Sequence, residues 1–580
     1  MTSSPTVTAS PDPPPSQRPR STFLRPLLVL LALACPTALS LARLRPPQSD
    51  PTTGPAAGFS TPRALTDLQT ITQEPHPLGS PDHSRVRDYL LAQLQSLNLE
   101  TALLPGVVRD PRLHRLPTHV ENILARLPGR DNTNAVLLAC HYDSAPVSHG
   151  AGDDGAAVAA LLETLRCLKS QPTPLRNDVY LLITDGEERG LLGAIAFAQD
   201  HPDVIAQCGI ALNFDARGTS GPSIMYETSA GNAWLIQQFA AADPRPTGNS
   251  LTYDVYRRMP NGTDFTIFKL AGIPGLNFAF IGSYANYHAP TDDPAHLDPA
   301  SLRHHGLHAL ALARHFGNLD LTSLPRTNDA VYFDLLSWKL IHYPPAVAYV
   351  LAAVCLIFVA TALYLSLRRR RATALGVLLS MPLLLGIAAL TTAVAWVPVK
   401  LLPAANLRQH PATATLAFCL LALTTTTVFL AIIQRGTRPS DSPNGPSMLH
   451  ALTLGSLILW TVTSVAAAIY SPGATFIIQW PLLFALCGLL ATLMLRGGLT
   501  SSTLILLTPV PALLLIPPLI NLVFLALTLQ LAAYEVLIPT FLLWLLIPHL
   551  SILLRPRPWI LPTASAIAAT ICFILASAAT

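Results

Sequence analysis

Charged residues are scarce in this chain. Of its 580 residues only 12% are Asp, Glu, Lys or Arg, whereas 51% are hydrophobic, and the mean hydropathy is +0.42. After Asp334 the remaining acidic residues are Asp441 and Glu535. This composition excludes an ordinary soluble enzyme and indicates that the C-terminal part lies in a lipid bilayer.

Paired cysteines are also lacking. The eight cysteines show no paired spacing and form no Cys-x-x-Cys zinc motif. The acid-rich part of the chain holds Cys140, Cys167 and Cys208. Because an odd number of cysteines does not suit a disulfide framework, we expect none in this part.

Long apolar runs are abundant, and a membrane-spanning helix needs about 20 apolar residues. We expect a disordered cytoplasmic tail at 1–21 and a first span at 22–43, which is either a signal-anchor or a cleaved signal peptide. An all-α, multipass transmembrane bundle of about eight helices is expected at 344–580. Its expected spans are 345–367, 373–397, 412–434, 448–470, 475–495, 501–529, 532–553 and 559–578. Four prolines make 501–529 a candidate for two half-helices or a re-entrant loop.

Arginines indicate the orientation of these spans. Arg368 to Arg371, Arg435, Arg438, Arg496, Arg555 and Arg557 occupy alternate loops, which the positive-inside rule places in the cytoplasm. Lys400 and Arg408 are a minor exception. The acid-rich part is then extracytoplasmic, on the periplasmic side of a bacterial inner membrane or in the lumen of a eukaryotic organelle. The net charge of +4 reflects this topology and does not indicate nucleic acid binding.

The acid-rich part, 61–325, lies between expected linkers at 44–60 and 326–343 and has an α/β pattern. Three short apolar runs, at 135–140, 179–184 and 209–214, suit strands buried on both faces. Between the first two, 155–169 carries an apolar helical stripe. The pattern predicts an α/β fold with a mixed, mostly parallel sheet covered by helices on both faces.

Five motifs containing acidic or histidine residues lie beside or just after predicted strands. They are His141-Tyr-Asp143, Gly152-Asp153-Asp154-Gly155, Gly186-Glu187-Glu188, Asn213-Phe-Asp215 and Tyr287-His288. In open α/β sheets, sites form at the carboxyl ends of the strands. Two adjacent zinc ions need about three protein groups each, so two histidines and three carboxylates suffice if one carboxylate bridges.

These motifs resemble those of the family-28 zinc metallopeptidases, together with Asp185-Gly-Glu-Glu-Arg-Gly-Leu-Leu-Gly-Ala and Gly275-Leu-Asn-Phe-Ala-Phe-Ile. Within the family, the chain is most similar to the membrane-embedded branch, of the endoplasmic reticulum metallopeptidase and vacuolar membrane protease type. The motif resemblance covers about residues 60 to 320. It implies a zinc exopeptidase-like fold for this part of the chain.

The resemblance also implies roles for individual residues. His141 and Asp215 correspond to terminal ligands of one zinc ion, Glu188 and His288 to terminal ligands of the other, and Asp153 to the bridge. Glu187 corresponds to the general base, and Asp143 to the carboxylate that orients His141. The chemistry agrees, because a metal-activated water needs a nearby carboxylate to accept its proton.

Several residues have two interpretations. Asp154 either competes with Asp153 for the bridge or, as we expect, caps the following helix. Tyr287 either stabilises the oxyanion or forms a pocket wall. Asp264 either faces the substrate or, with Thr263, caps a helix. His83 lies in polar surroundings and is expected at the surface.

The predicted function is that of a membrane-anchored dizinc exopeptidase, an aminopeptidase that hydrolyses N-terminal residues with Glu187 as general base. Its predicted partners are a peptide substrate and the bilayer, with no nucleic acid; an oligomer is possible. Alternatives are a carboxypeptidase or other amide-hydrolysing enzyme on the same fold, or a non-catalytic membrane binding or assembly factor.

Overall fold

A seven-stranded mixed sheet forms the centre of the extramembrane part. The computed structural model describes residues 24–48, 58–109, 116–436, 446–495, 506–527, 531–555 and 557–578. The strands are β1 (Glu100–Arg109), β2 (Pro117–Leu127), β3 (Ala135–His141), β4 (Val179–Thr184), β5 (Cys208–Ala216), β6 (Ile224–Thr228) and β7 (Gly275–Phe280). Their order is β1-β2-β4-β3-β5-β7-β6. The four central strands β4, β3, β5 and β7 pair in parallel, and the outer pairs are antiparallel.

Strand β3 shows why the central strands are apolar throughout. All seven of its residues are buried. Val136, Leu138 and Cys140 pack on one face of the sheet, while Ala135, Leu137 and Ala139 pack on the other. Because successive side chains of a strand point to opposite faces, a strand covered on both sides has no polar face.

Helices cover both faces of the sheet. They are α2 (Thr61–Ile71), α3 (Pro81–Ser96), α4 (Ala156–Lys169), α5 (Leu192–Asp200), α6 (Pro202–Gln207), α7 (Ala233–Ala242), α8 (Ser250–Tyr256), α9 (Asp264–Leu270) and α10 (Pro299–Phe316). Helices α3, α4, α7 and α10 contribute to the core on one face. Helices α5 and α9 contribute to the core on the other. The α/β fold class is therefore confirmed.

The segment 326–343, predicted as a linker, contains a two-stranded antiparallel sheet. Its strands are β8 (Val331–Leu335) and β9 (Lys339–Tyr343). Val331 and Phe333 pack with the apolar helices of the C-terminal part, and Phe333 stacks on Phe476 at 4.8 Å. Apolar contact on one face of β8 thus gives this connection a defined structure.

The C-terminal part is a bundle of apolar helices. With the N-terminal helix α1 (Leu24–Ala42), these are α11 (Pro345–Arg368), α12 (Ala374–Leu401), α13 (Ala404–Gln409), α14 (Pro411–Gly436), α15 (Met448–Tyr470), α16 (Thr475–Met494), α17 (Val510–Ala526), α18 (Ala532–Glu535), α19 (Leu537–Leu545), α20 (Ile547–Leu554) and α21 (Ile560–Ser577). Among the described residues, seven helices are long and apolar enough to cross a membrane. The chain is a multipass membrane protein.

Two expected spans differ from simple helices. Within 501–529 the described helix is α17, a short apolar helix that includes Pro511, Pro517 and Pro518. The span expected at 532–553 is broken, because its two halves are bent by 74°. Residues 1–21, Arg438 and Arg496, on which other sequence-based expectations rest, lie outside the described residues.

Helix α8 joins the two parts of the molecule. Its Ser250 Oγ donates to the carbonyl of Gly473 at 2.7 Å, in the turn between α15 and α16. The buried Asp254 carboxylate accepts from Ser471 Oγ at 2.5 Å and from the Gly473 N–H at 3.1 Å. The sheet domain is therefore held against this end of the bundle.

Candidate metal centre

The predicted ligand residues lie at the carboxyl ends of the four parallel strands. His141 is the last residue of β3, and Asp215 is near the end of β5. Glu187 and Glu188 follow β4, whereas His288 follows β7. Asp153 lies in a tight turn, Ala151–Gly155, that leads into α4. Parallel strands end at the same edge of a sheet, so residues far apart in sequence meet there.

The structure brings these residues together as two groups with one shared member. The first group is His141, Asp153 and Asp215, and the second is Asp153, Glu188 and His288. Within each group, one possible ligand atom per residue lies within 4.8 Å of the others. The two Asp153 carboxylate oxygens face different histidines, at 3.2 Å from His141 Nε2 and 3.0 Å from His288 Nε2.

Burial and mutual repulsion shift the pKa values of the clustered carboxyls. Burial, with the nearby charge of Asp153, raises the pKa of Asp215 and that of Glu188 to about 7. Burial also raises the pKa of Glu187. Burial alone would raise the pKa of Asp153, but hydrogen bonds from His141 and His288 lower it to about 2. Negative charge is thus concentrated at Asp153, between the two histidines.

Asp143 holds the loop that carries the two glutamates. Its carboxylate accepts from the Glu187 N–H at 2.9 Å and from the Glu188 N–H at 3.3 Å. His141 Nδ1 lies 3.0 Å from the backbone carbonyl of Asp143 and 3.5 Å from its carboxylate. The residue therefore supports His141 mainly through its carbonyl and positions the Glu187–Glu188 loop through its side chain.

Two further carboxylates support the Ala151–Gly155 turn. Asp154 does not cap α4, since no side chain caps the start of this helix; its Oδ2 instead accepts from the His141 N–H at 3.2 Å. Asp292, which the sequence analysis missed, accepts from the Gly152 N–H at 2.6 Å, the Asp153 N–H at 3.3 Å and Ser148 Oγ at 3.0 Å. The sequence does contain one sign of this role, because two acidic residues, in Thr291-Asp292-Asp293, follow the predicted ligand His288 closely. Asp292 thus fixes the backbone on which Asp153 is presented.

Tyr287 and Asp264 have different surroundings. The Tyr287 ring stacks on His288, with centroids 3.8 Å apart, and lines the cavity beside the centre. Asp264 is buried, accepts a hydrogen bond from Thr184 Oγ1 and is not among the residues that line this cavity. The described cavity wall therefore includes Tyr287 and Thr263 but not Asp264.

His83 is buried, contrary to the expectation of a surface residue. Its Nε2 lies 2.7 Å from Asp185 Oδ1, and its ring stacks on Tyr142 at 4.8 Å. Asp185 Oδ2 also accepts from the Glu121 N–H. Tyr142 follows β3 and Asp185 follows β4, and sequence patterns around His83 do not reveal either contact.

Beside the two groups lies a cavity of about 730 Å³. Its acidic end is formed by Asp153, Glu187, Glu188 and Asp215. Arg217 is the basic residue of its wall; the Arg217 guanidinium is 5.1 Å from the Tyr284 ring centroid. This volume lies within the range of pockets that bind small organic ligands.

Imidazole nitrogen and carboxylate oxygen are the donors that zinc accepts, and both groups consist of them. Glu188 Oε1 is buried and has no hydrogen-bond partner among the described residues. A zinc ion held by Glu188, Asp153 and His288 would satisfy that oxygen. The residues present therefore fit a zinc site.

Comparisons with known proteins agree with the fold and the candidate zinc site. Residues 122–313 match peptidase family M28. The chain is 30% identical to endoplasmic reticulum metallopeptidase 1 of Mus musculus over 56% of this chain and 38% of that protein. It is 30% identical to the vacuolar membrane protease of Vanderwaltozyma polyspora over 48% of this chain and 32% of that protein. The chain thus contains a peptidase family M28 domain and is homologous to both of these membrane proteins.

The chain spans less than two fifths of the length of these curated relatives. Among solved structures, an aminopeptidase from Aneurinibacillus sp. strain AM-1 is 13% identical, with a TM-score of 0.37 over 47% of this chain and 98% of its own. A glutaminyl cyclase from Porphyromonas gingivalis is 19% identical, with a TM-score of 0.36 over 44% of this chain and 97% of its own.

Proposed function

We propose that the chain is a membrane-anchored dizinc aminopeptidase. The observation that carries the proposal is the pair of three-residue groups that share Asp153. His141 and Asp215 would hold one zinc ion, and Glu188 and His288 the other. Asp153 would bridge them, since its two oxygens face different histidines.

When bound, the zinc ions lower the pKa of water and polarise the scissile carbonyl. Glu187 lines the cavity beside the two groups and accepts the proton of the attacking water, which it then gives to the leaving amine. Its raised pKa suits both steps, because such a carboxyl binds a proton more firmly than an exposed glutamate. Tyr287 lies beside His288, where its hydroxyl can stabilise the developing oxyanion.

A centre of two zinc ions would hold the N-terminus of a peptide, because a neutral amine is a nitrogen donor of the kind that zinc accepts. The four carboxylates that line this end would offset the charge of the two ions. One observation favours carboxypeptidase activity as the second candidate. Arg217 also lines the cavity, and a guanidinium can bind the carboxylate of a C-terminal residue.

We propose that the peptidase domain occupies about 61–325, within an extracytoplasmic part, and that the bundle at 344–580 anchors it. Two features support this orientation. Helix α11 begins at Pro345, next to the sheet domain, and ends at the arginine run Arg368–Arg371. The turn at Ser471–Gly473, which contacts α8, lies at the opposite end of α15 from Ser447, whose N–H donates to Arg371. The arginines and the sheet domain are therefore at opposite ends of these helices.

The test is hydrolysis by the purified, zinc-loaded protein of peptides with free, N-blocked or C-blocked termini, together with Glu187→Gln. We expect about two zinc ions per chain and cleavage of every peptide that has a free N-terminus. Because Glu187 lies outside both ligand groups, Glu187→Gln should keep its zinc and lose about 100-fold or more in kcat.

The matched control is Glu74→Gln, which neutralises an exposed glutamate elsewhere on the domain and should leave kcat unchanged. Cleavage that requires a free C-terminus instead would show a carboxypeptidase. Absence of stoichiometric zinc would contradict the dizinc assignment.

A further inference from the structure

The cavity beside the metal centre has a wall that belongs to the membrane bundle. The sheet domain forms its acidic end, as described above. Another part of its wall is formed by the C-terminal half of α17, through Leu519, Leu522, Val523 and Ala526, and by Leu527, which follows the helix. The bundle therefore takes part in the same cavity as Glu187 and Asp153.

This wall is apolar and continues onto the sheet domain. Leu251 and Val255 of α8 line the cavity, as does Met259, which follows that helix. None of the α17 residues of the wall carries a charge. The cavity is thus acidic where the metals would bind and apolar along the side that α17 supplies.

Helix α17 is fixed at two points along its length. Ser40 Oγ of α1 donates to the Leu513 carbonyl at 3.0 Å, and both groups are buried. Arg217 Nη1, on the loop after β5, lies 3.5 Å from the Ala526 carbonyl at the C-terminal end of the helix. Because Arg217 follows Asp215 by two residues, the position of α17 is tied to that of a predicted zinc ligand.

We propose that the C-terminal end of α17 is a specificity-determining element: Val523, with Leu527 just after the helix, receives a large apolar side chain of the peptide next to the scissile bond. This inference rests on the peptidase function proposed above. Burying apolar side chains against this wall is favourable, whereas a charged side chain loses its hydration without a partner there. The substrates are then peptides with residues such as Leu or Phe at this position.

The test uses the full-length, zinc-loaded protein and the tripeptides X-Ala-Ala, in which X is Ala, Leu, Phe or Asp. We expect kcat/KM to be roughly 10- to 200-fold higher for Leu than for Ala, which is the range for small changes of apolar volume in such pockets. Val523→Trp, which fills part of the cavity next to α17, should reduce the ratio of kcat/KM for Leu to that for Ala about 10-fold or more. Val523→Ala, which enlarges the cavity, should raise the ratio of Phe to Leu.

The matched control is Leu525→Trp. Leu525 lies two residues further along α17 and does not line this cavity. It lines a neighbouring cavity that Ser40 and Arg43 also border and that shares Leu519 and Leu522 with the first. The same substitution at this position should leave the side-chain ratios as they are in the unaltered protein. A general loss of stability would lower all four rates together and leave the ratios unchanged, so the ratios separate selectivity from folding.

Equal ratios in the unaltered protein and in both Val523 variants would overturn the proposal for α17 while leaving the peptidase function intact. If no tripeptide is hydrolysed, the proposed peptidase function is contradicted. Binding of Leu-Ala-Ala and of Ala-Ala-Ala, measured by calorimetry, then tests whether α17 forms an apolar binding site. Preferential binding of Leu-Ala-Ala that Val523→Trp removes would support an apolar site at α17. Equal binding of the two peptides, or none, would overturn it.

Discussion

At the scale of single residues, the centre depends on carboxylates that hold backbone N–H groups. Asp143 accepts from the N–H groups of Glu187 and Glu188, and Asp292 accepts from those of Gly152 and Asp153. Neither residue belongs to the two ligand groups. They decide where the predicted ligands and the predicted base are placed, and residues that support ligands in this way commonly change metal affinity when replaced.

Asp292→Asn tests this role. The amide keeps the shape of the side chain but has one acceptor oxygen, so it loses either the bond from Ser148 Oγ and the Asp153 N–H or that from Gly152. We expect zinc affinity, measured by competition with a chelator, to fall about 10- to 100-fold. Asp293→Asn, in the adjacent exposed turn with His296, is the control and should keep its affinity. Equal zinc affinity in both variants would show that Asp292 does not position the turn.

At the scale of elements, α8 serves two surfaces at once. One side lines the cavity through Leu251 and Val255, and the other contacts the Ser471–Gly473 turn of the bundle through Asp254. The same Asp254 carboxylate pairs with Arg257 at 2.7 Å. A change at this contact therefore affects both the joint between the two parts and the shape of the cavity.

Asp254→Ala should destabilise the joint. It leaves the Gly473 N–H and Ser471 Oγ without their acceptor, and an unsatisfied buried polar group costs about 1–3 kcal/mol. We expect a lower thermal unfolding midpoint in detergent and a higher KM for peptides. Asp320→Ala removes an exposed carboxylate and is the control, with no change expected in either quantity. An unfolding midpoint and KM equal to those of the control would show that the joint contributes nothing.

At the scale of the whole molecule, metal and protons compete for the centre. Burial and the charge of Asp153 raise the pKa values of Asp215 and Glu188 to about 7 in the folded protein, from ordinary values of 3.8 and 4.5. The folded, metal-free protein therefore binds more protons than the unfolded chain does between these limits. Its stability falls as the pH rises through about 7.

Zinc replaces those protons and removes the repulsion between the carboxylates. We expect the thermal midpoint of chelator-treated protein to be lower at pH 8 than at pH 5.5, and the increase on adding zinc to be larger at pH 8. Asp215→Asn removes one of the groups that titrate in this range, so its metal-free profile should be flatter. A zinc-induced increase that is the same at both pH values would contradict the assignment of these carboxylates as ligands.

The sequence by itself determined the strands and helices and the set of predicted metal ligands. The apolar run at 179–184 became β4 with the same bounds, and the run at 135–140 became β3 with one more residue, His141. These features are local, because the hydrophobic pattern of consecutive residues indicates buried strands and amphipathic helices. The five predicted ligand residues lie together in the structure because each ends or follows one of the parallel strands at the centre of the mixed sheet.

Only the tertiary structure decided the contacts between distant segments. Asp292 reaches Gly152 across 140 positions, His83 pairs with Asp185 across 102, and Arg217 approaches Ala526 across 309. No periodicity in the sequence specifies such pairs, because each depends on how two separately formed elements pack. For the same reason the sequence predicted α17 as part of a membrane span, whereas the fold makes it a wall of the peptidase cavity.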